Sequence, residues 1–217
     1  MCTSILAIVG DYYHPSEAAL QSLEQALDKH ISNGKMELAT CNPNRLLEKL
    51  AGKPDVVVLF SENRINPADH PVDTWMTEEI ADAITQYVEN GGRWLAWHSG
   101  LASYAINGKY TQMLRGYFKY HPKQHQLVRY TNTKDNEILS DNISLDLLDE
   151  HYFVHCDLAQ TTVFLQANSV DGQSIAGWYH TYGNGKVCCL TPAHNKEGLL
   201  DPGFMNILEK CLVWVSA

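Results

Sequence analysis

The chain has 217 residues, of which 45% are hydrophobic and 19% charged, and its formal net charge is −9. This length suits one α/β domain with a full core, and the composition excludes a disordered or fibrous protein. The negative charge opposes nucleic-acid phosphates, and there is no cluster of Lys and Arg to override it. A nucleic-acid partner is therefore not expected.

Membrane and export signals are missing from the pattern. No stretch approaches the roughly 18–20 apolar residues of a membrane span, and the first residues lack the basic region of a signal peptide. The six cysteines form no CxxC pair, and we expect them to be reduced and buried. These features predict a cytoplasmic protein without a membrane contact. They leave open whether it forms a homo-oligomer.

The first half of the chain alternates predicted strands and helices. The strands are 4–9, 36–40, 55–60 and 93–97, and the helices are 16–30, 44–51 and one that begins at Thr77. The run 55–60 is almost wholly apolar, which is typical of a parallel strand buried on both faces. Three strand–helix units in series predict a parallel sheet with helices on both sides.

The second half is less regular. The predicted strands are 126–130, 151–156, 161–166, 174–180 and 187–190, and a helix covers about 204–215. Asn184-Gly185 predicts a hairpin turn before the last strand. With no linker or repeat, residues 1–217 are interpreted as one domain. We expect an α/β fold of the flavodoxin-like type, a three-layer sandwich with a mainly parallel central sheet.

Ligands of such sheets bind beyond the carboxyl ends of the strands. Polar residues that follow a predicted strand are therefore the first candidates, among them Asp11, His14, Glu62, His98, Ser99 and His194. His98 occupies a sharp turn after a strong strand, in the manner of a nucleophile elbow, where thiol enzymes carry cysteine. Ser99 could act as a nucleophile only with an adjacent base, and the turn is not G-x-S-x-G.

Six motifs occur in a fixed order: Trp97-His98-Ser99-Gly100; Phe118 followed by His121-Pro122; Asp149-Glu150-His151-Tyr152; Trp178 with Tyr182-Gly183-Asn184-Gly185-Lys186-Val187; Thr191-Pro192-Ala193-His194; and Leu212-Val213-Trp214. From about Asp55 to the end, this order resembles the ThuA-like (trehalose utilisation) family. The resemblance implies a class I glutamine amidotransferase-like fold with His98 in place of cysteine, and a role in the utilisation of carbohydrates, especially disaccharides. The Thr-Pro-Ala-His motif departs from the family, in which glycine commonly precedes the histidine.

The motif residues allow two kinds of chemistry. His98, His121 and His194 could bind a divalent metal such as Zn²⁺ together with Glu150. Asp11, Glu62 or His151 would then orient these ligands. Without metal, a histidine could act as general base, with Glu150 as acid or orienter and the other side chains binding sugar hydroxyls.

The first hypothesis is an enzyme that hydrolyses or isomerises a small carbohydrate-derived ligand. Its catalytic residues are predicted to be His98, Glu150 and His194. The predicted ligand-binding residues are Asp11, Glu62, Ser99, His121, His151 and Trp178. The other histidines, including His14 and His125, are interpreted as solvated or structural, because no neighbours in the sequence converge on them.

Two alternatives stay open. One is a non-catalytic binding or assembly module that has the fold but lacks the cysteine nucleophile. The other is amidotransferase chemistry through a displaced cysteine. Cys156, Cys188 and Cys189 are the candidates, although they lie within apolar strand runs where thiols are inert.

Overall fold

The structure is a computed structural model that describes residues 2–217. The strands are β1 Thr3–Val9, β2 Met36–Thr40, β3 Val56–Phe60, β4 Arg93–Trp97, β5 Gly116–Tyr120, β6 Gln126–Asn132, β7 Ser144–Asp149, β8 Phe153–Cys156, β9 Thr162–Ser169, β10 Gly172–Tyr182 and β11 Gly185–Leu190. The helices are α1 Ser16–Ser32, α2 Leu46–Ala51, α3 Glu78–Glu89, α4 Lys109–Leu114, α5 Lys196–Leu199 and α6 Pro202–Ser216. Single 3-10 turns cover Pro43–Arg45 and His98–Leu101.

The fold is α/β, as predicted, but its large sheet is mixed. Nine strands follow the order β2-β1-β3-β4-β11-β10-β9-β6-β7, and β5 and β8 pair separately. The first five are parallel to one another, and every pair from β11 to β7 is antiparallel. The prediction of a mainly parallel sheet therefore describes only half of it. Short connections such as the turn between β10 and β11 enforce antiparallel pairing, because a parallel pair needs a crossover of a dozen or more residues.

Strand β3 shows why the parallel half forms. All five of its residues are buried. Val56, Val58 and Phe60 belong to a core shared with α1 and α6, whereas Val57 and Leu59 face the core shared with α2, α3 and α4. Alternate side chains of one strand thus fill two cores on opposite sides of the sheet.

The helix start predicted at Thr77 is confirmed, and the structure adds a capped start of α6 that the sequence interpretation did not identify. The Thr77 hydroxyl accepts a hydrogen bond from the Ile80 N–H at 3.3 Å and so begins α3. The Asp201 carboxylate accepts N–H bonds from Gly203 and Phe204 and begins α6. Among residues 2–217, no helix combines the length and apolar character needed to cross a membrane.

The turn after β4 is tight and strained. His98 has φ of +46°, a backbone conformation that costs free energy for a residue other than glycine. A Cβ at Gly100 would collide with the carbonyl oxygen of Leu59, so only glycine lets the turn lie this close to β3. The predicted elbow is present, although a single 3-10 turn follows it rather than a long helix.

Candidate functional site

Four side chains from separate segments meet beyond the strand ends. His14 follows β1, His98 follows β4, Glu150 follows β7 and His194 follows β11. One nitrogen or oxygen atom from each lies within 4.8 Å of the others, a grouping that could hold a metal ion. We call these four residues the inner group. The topology brings together three residues predicted from the sequence and adds His14.

His194 lies at the centre of the inner group. Its Nδ1 is 3.0 Å from His14 Nε2, 3.3 Å from His98 Nε2 and 3.2 Å from Glu150 Oε2. His98 Nε2 lies 3.7 Å from the same carboxylate oxygen. The side chains of the four are at most 16% exposed. Four ligating atoms therefore face one small, largely dehydrated volume.

Hydrogen bonds at the Nδ1 atoms of His14 and His98 leave the Nε2 atoms of both rings available to a ligand. His98 Nδ1–H donates to the Thr191 carbonyl at 2.7 Å, and His14 Nδ1–H donates to Asp11 Oδ1 at 2.6 Å. In a neutral imidazole the second nitrogen then carries a lone pair. When both imidazoles are neutral, the two Nε2 lone pairs therefore face His194. Histidines that bind metals have the same arrangement, with the far N–H held by a carboxylate or carbonyl. Burial opposes the charged form of His98, but the contact with Glu150 and the nearby Asp149 raise the pKa of His98.

Asp11 holds the loop that carries His14. Its Oδ1 also accepts the backbone N–H groups of Tyr13 and His14, and its Oδ2 accepts the N–H of Glu62 at 2.9 Å. Burial opposes the charged form of this carboxylate, but the contact with His14 and the backbone donors lower the pKa of Asp11. Asp11 is positioned to orient His14.

Asp149 performs the same task for His194 and Glu150. The side chain is 1% exposed, and each carboxylate oxygen accepts two hydrogen bonds. Oδ1 accepts the N–H groups of Glu150 and His194, and Oδ2 accepts the N–H of Ala193 and the hydroxyl of Tyr130. This clamp maintains the turn at Ala193, whose φ is +76°.

A second pair of histidines flanks Glu150 on its more exposed side. The Nε2 atoms of His121 and His125 lie 3.6 and 3.9 Å from Glu150 Oε1, and their side chains are 34% and 33% exposed. His121 Nδ1–H donates to the Pro122 carbonyl, and His125 Nδ1 accepts from the Asn195 amide at 2.9 Å. We call His121 and His125 the outer pair.

The electrostatics give the inner group a carboxylate beside a neutral imidazole. Burial would raise the pKa of Glu150, but its contact with His98 and the neighbouring His194 and His121 lower it to about 2. Burial and the adjacent His98 lower the pKa of His194 to about 3, against the attraction of Glu150. At neutral pH both residues are therefore in the protonation states that bind metals.

Two predicted site residues lie apart from the inner group. Trp178 is fully buried, and its Nε1–H donates to the Leu114 carbonyl, so its ring belongs to the core and offers no face to a sugar. His151 is also fully buried, between the hydroxyls of Ser169 and Ser174. The burial of both rings results from strand pairing, because they fill the interior beside the antiparallel half of the sheet.

Glu62 and Ser99 lie near the turn after β4. The Glu62 carboxylate is bound to other side chains, and Ser99 is enclosed. Glu62 is 2% exposed and binds Arg64 and Ser103. Ser99 is fully buried, and its hydroxyl has no hydrogen-bond partner within residues 2–217. The ring of Tyr152 stacks on His98 with centroids 4.2 Å apart. Ser99 has neither the base nor the access that a nucleophile needs.

The cysteines have the character of core residues. Cys188 and Cys189 are fully buried, and burial raises the pKa of each thiol well above its usual value. Burial also raises the pKa of the half-buried Cys156. Because the thiolate is the nucleophile, none of the three is poised for amidotransferase chemistry.

The sequence interpretation missed His14, His125 and Tyr152 as members of the site. His14 lies within five residues of the end of β1, so the rule that selected Asp11 also applied to it. His125 lies one residue before β6, in a segment whose fold could not be placed from the sequence.

Comparison with solved structures places the fold among ThuA-like proteins. A ThuA-like protein from Parabacteroides merdae ATCC 43184 is 14% identical, with a TM-score of 0.75 over 100% of this chain and 91% of that one. A cytoplasmic protein from Salmonella typhimurium LT2 is 16% identical, with a TM-score of 0.67 over 98% and 99%. A β-galactosidase from Rahnella sp. R3 is 12% identical, with a TM-score of 0.65 over 98% of this chain but 31% of that one.

Sequence comparison gives the family. No curated protein sequence is significantly similar to the chain. The family model described as "ThuA: Trehalose utilisation" matches residues 5–215, which is nearly the whole length. The chain therefore belongs to the ThuA family.

Proposed function

We propose that this protein is a metal-dependent enzyme that acts on a small carbohydrate-derived ligand. His14, His98, His194 and Glu150 hold the divalent cation. The family description, trehalose utilisation, supports the carbohydrate class, and the fold also occurs as part of a β-galactosidase. The reaction class we favour is hydrolysis or isomerisation of a sugar derivative.

The geometry of the inner group carries the proposal. Zn²⁺ binds imidazole nitrogen and carboxylate oxygen at about 2.0–2.2 Å, so the ligand atoms of a tetrahedral site lie about 3.3–3.5 Å apart. The three contacts of His194 Nδ1 measure 3.0, 3.3 and 3.2 Å. His98 Nε2 and Glu150 Oε2 lie 3.7 Å apart, all four ligand atoms lie within 4.8 Å of one another, and the far nitrogens of His14 and His98 are held as donors.

This ligand set differs from the one expected from the sequence, because His14 takes the place of His121. His121 Nε2 faces Glu150 Oε1, whereas the inner group meets at Oε2. A divalent cation held by His14, His98, His194 and Glu150 would supply Lewis-acid chemistry, which could polarise a carbonyl or activate water. The outer pair contributes the hydrogen bonds to ligand hydroxyls that the sequence assigned to His121.

Metal content tests the proposal directly. Protein purified without a polyhistidine tag or chelator is expected to contain close to one equivalent of zinc or another divalent transition metal. His14→Ala and His98→Ala should each lose most of it, since each removes one of four ligands. Elemental analysis gives the metal content, and circular dichroism verifies that the variants are folded.

His155→Ala is the matched control, because His155 is an exposed histidine on β8 outside the inner group. It should retain the metal content of the wild type. A folded wild type without bound metal that also binds none when zinc is supplied would contradict the proposal. That outcome would favour the non-catalytic binding module instead.

A further inference from the structure

A small pocket adjoins the inner group on the side of α1. Its volume is about 270 Å³, and the imidazoles of His14 and His194 form part of its wall. The remaining wall includes Tyr13, Glu17, Gln21 and Lys196. Small-molecule sites usually measure about 300–1,000 Å³, so this volume suits a ligand no larger than one sugar ring.

Tyr13 gives the pocket an aromatic wall at its rim. Its side chain is 49% exposed, and the ring does not belong to either hydrophobic core. The guanidinium of Arg64 lies 5.7 Å from the ring centroid. Arg64 is in turn held by the buried Glu62, whose Oε2 lies 2.8 Å from Nε and 2.7 Å from Nη2. The Tyr13 ring thus has two neighbours that position it, the edge-on ring of Tyr12 with centroids 4.9 Å apart and Arg64, which the buried Glu62 carboxylate holds.

The polar side chains of the pocket favour a neutral ligand. Glu17 on α1 and Lys196 on α5 carry opposite formal charges, so these two side chains together add no net charge to the rim of the pocket. Gln21 adds an amide that both donates and accepts hydrogen bonds. Such a wall matches hydroxyl groups, which also donate and accept, better than a phosphate or a carboxylate.

We propose that this pocket binds one ring of a neutral sugar, stacked on Tyr13, and presents it to the inner group. The inference rests on the proposed function, because it makes the pocket the ligand subsite of that metal centre. Glu62 acts as a positioning residue for Tyr13 through Arg64. This assigns the buried carboxylate a role in ligand binding without contact with the ligand.

The test is sugar binding by zinc-supplied protein, with methyl glucoside and trehalose as probes in NMR titrations. Wild type is expected to bind both saturably. Tyr13→Ala should weaken binding at least tenfold, and Tyr13→Phe, which keeps the ring, should stay within threefold of wild type. Tyr120→Ala is the matched control, since Tyr120 is 53% exposed, stacks on Phe153 of β8 and lies outside the pocket wall.

Metal content, measured on the same samples, separates the sugar pocket from the proposed metal centre. Metal-loaded protein that binds neither sugar, or whose binding falls equally in Tyr120→Ala and Tyr13→Ala, would overturn the pocket while leaving the metal centre intact. Binding that depends on Tyr13 in a protein unable to hold metal would support the pocket and overturn the metal part of the proposed function.

Discussion

Asp11 is the residue on which the orientation of His14 depends. Its carboxylate holds His14 Nδ1–H at 2.6 Å and accepts three backbone N–H groups. Asp11→Asn keeps the size but replaces one acceptor oxygen by a donor. Since partners of this kind alter metal affinity about 10–100-fold, we expect zinc affinity to fall by that factor. Competition with a chromogenic chelator measures it.

Asp28→Asn is the control for this change, because Asp28 is an exposed aspartate on α1. It makes the same change of formal charge without touching the inner group, and its zinc affinity should equal that of the wild type. Equal affinities in all three proteins would show that Asp11 maintains the loop but does not tune His14.

The single residues also show what the sequence could predict of the site. His98 and His194 were found because each directly follows a recognisable strand, or lies a few residues beyond it. His14 satisfied the same rule, but its partner His194 is 180 residues away, and no local pattern reports that contact. Trp178 and His151 were chosen as ligand-binding residues by residue type alone, and the structure places both side chains in the interior, because burial depends on pairing across the sheet.

At the level of elements, the end of β7 ties the antiparallel half to the site. The buried Asp149 accepts one hydrogen bond from Tyr130 on β6 and three from backbone N–H groups around Glu150 and His194. Asp149→Asn turns one oxygen into a donor that faces two other donors. We expect the free energy of unfolding to fall by about 3 kcal/mol, because hydrogen bonds to a buried charge are lost and donors are left unpaired.

Tyr130→Phe is the comparison for the loss of unfolding free energy in Asp149→Asn. It removes only one of the four hydrogen bonds and leaves the ring in the core. It should cost about 1 kcal/mol. Urea denaturation with chelator present measures both variants without a contribution from bound metal. If the two variants lost equal stability, the three backbone bonds would contribute nothing, and the clamp at Ala193 would have to be explained otherwise.

Individual strands also show why the fold could be predicted only in part. β1, β3, β4 and β11 are short apolar runs buried on both faces, and their sequences identify them. β5 and β7 were not predicted. β7 reads Ser-Leu-Asp-Leu-Leu-Asp and is half exposed, so its identity as a strand depends on pairing with β6. Local propensity cannot supply that partner.

For the molecule as a whole, His180 makes stability depend on pH. Its Nε2–H donates to the Met113 carbonyl, and Nδ1 is buried with no partner in the described part of the chain. Burial lowers the pKa of His180 to about 4, below the value of about 6.5 in an unfolded chain. As pH falls, the unfolded state therefore takes up a proton first, and stability present above pH 6.5 is lost progressively down to pH 4.

Between pH 7 and pH 5 this single group should cost about 2 kcal/mol of unfolding free energy. His180→Gln keeps a donor for the Met113 carbonyl but cannot titrate, so its stability should fall about 2 kcal/mol less than that of wild type over this interval. His155→Gln, at an exposed position, should fall as much as wild type. Urea denaturation with chelator at both pH values gives the differences, and the contribution of the inner group cancels because all three proteins retain it. If His180→Gln and wild type lost equal stability, Nδ1 would have to gain a proton in the folded state, and the core around β10 would have to admit water.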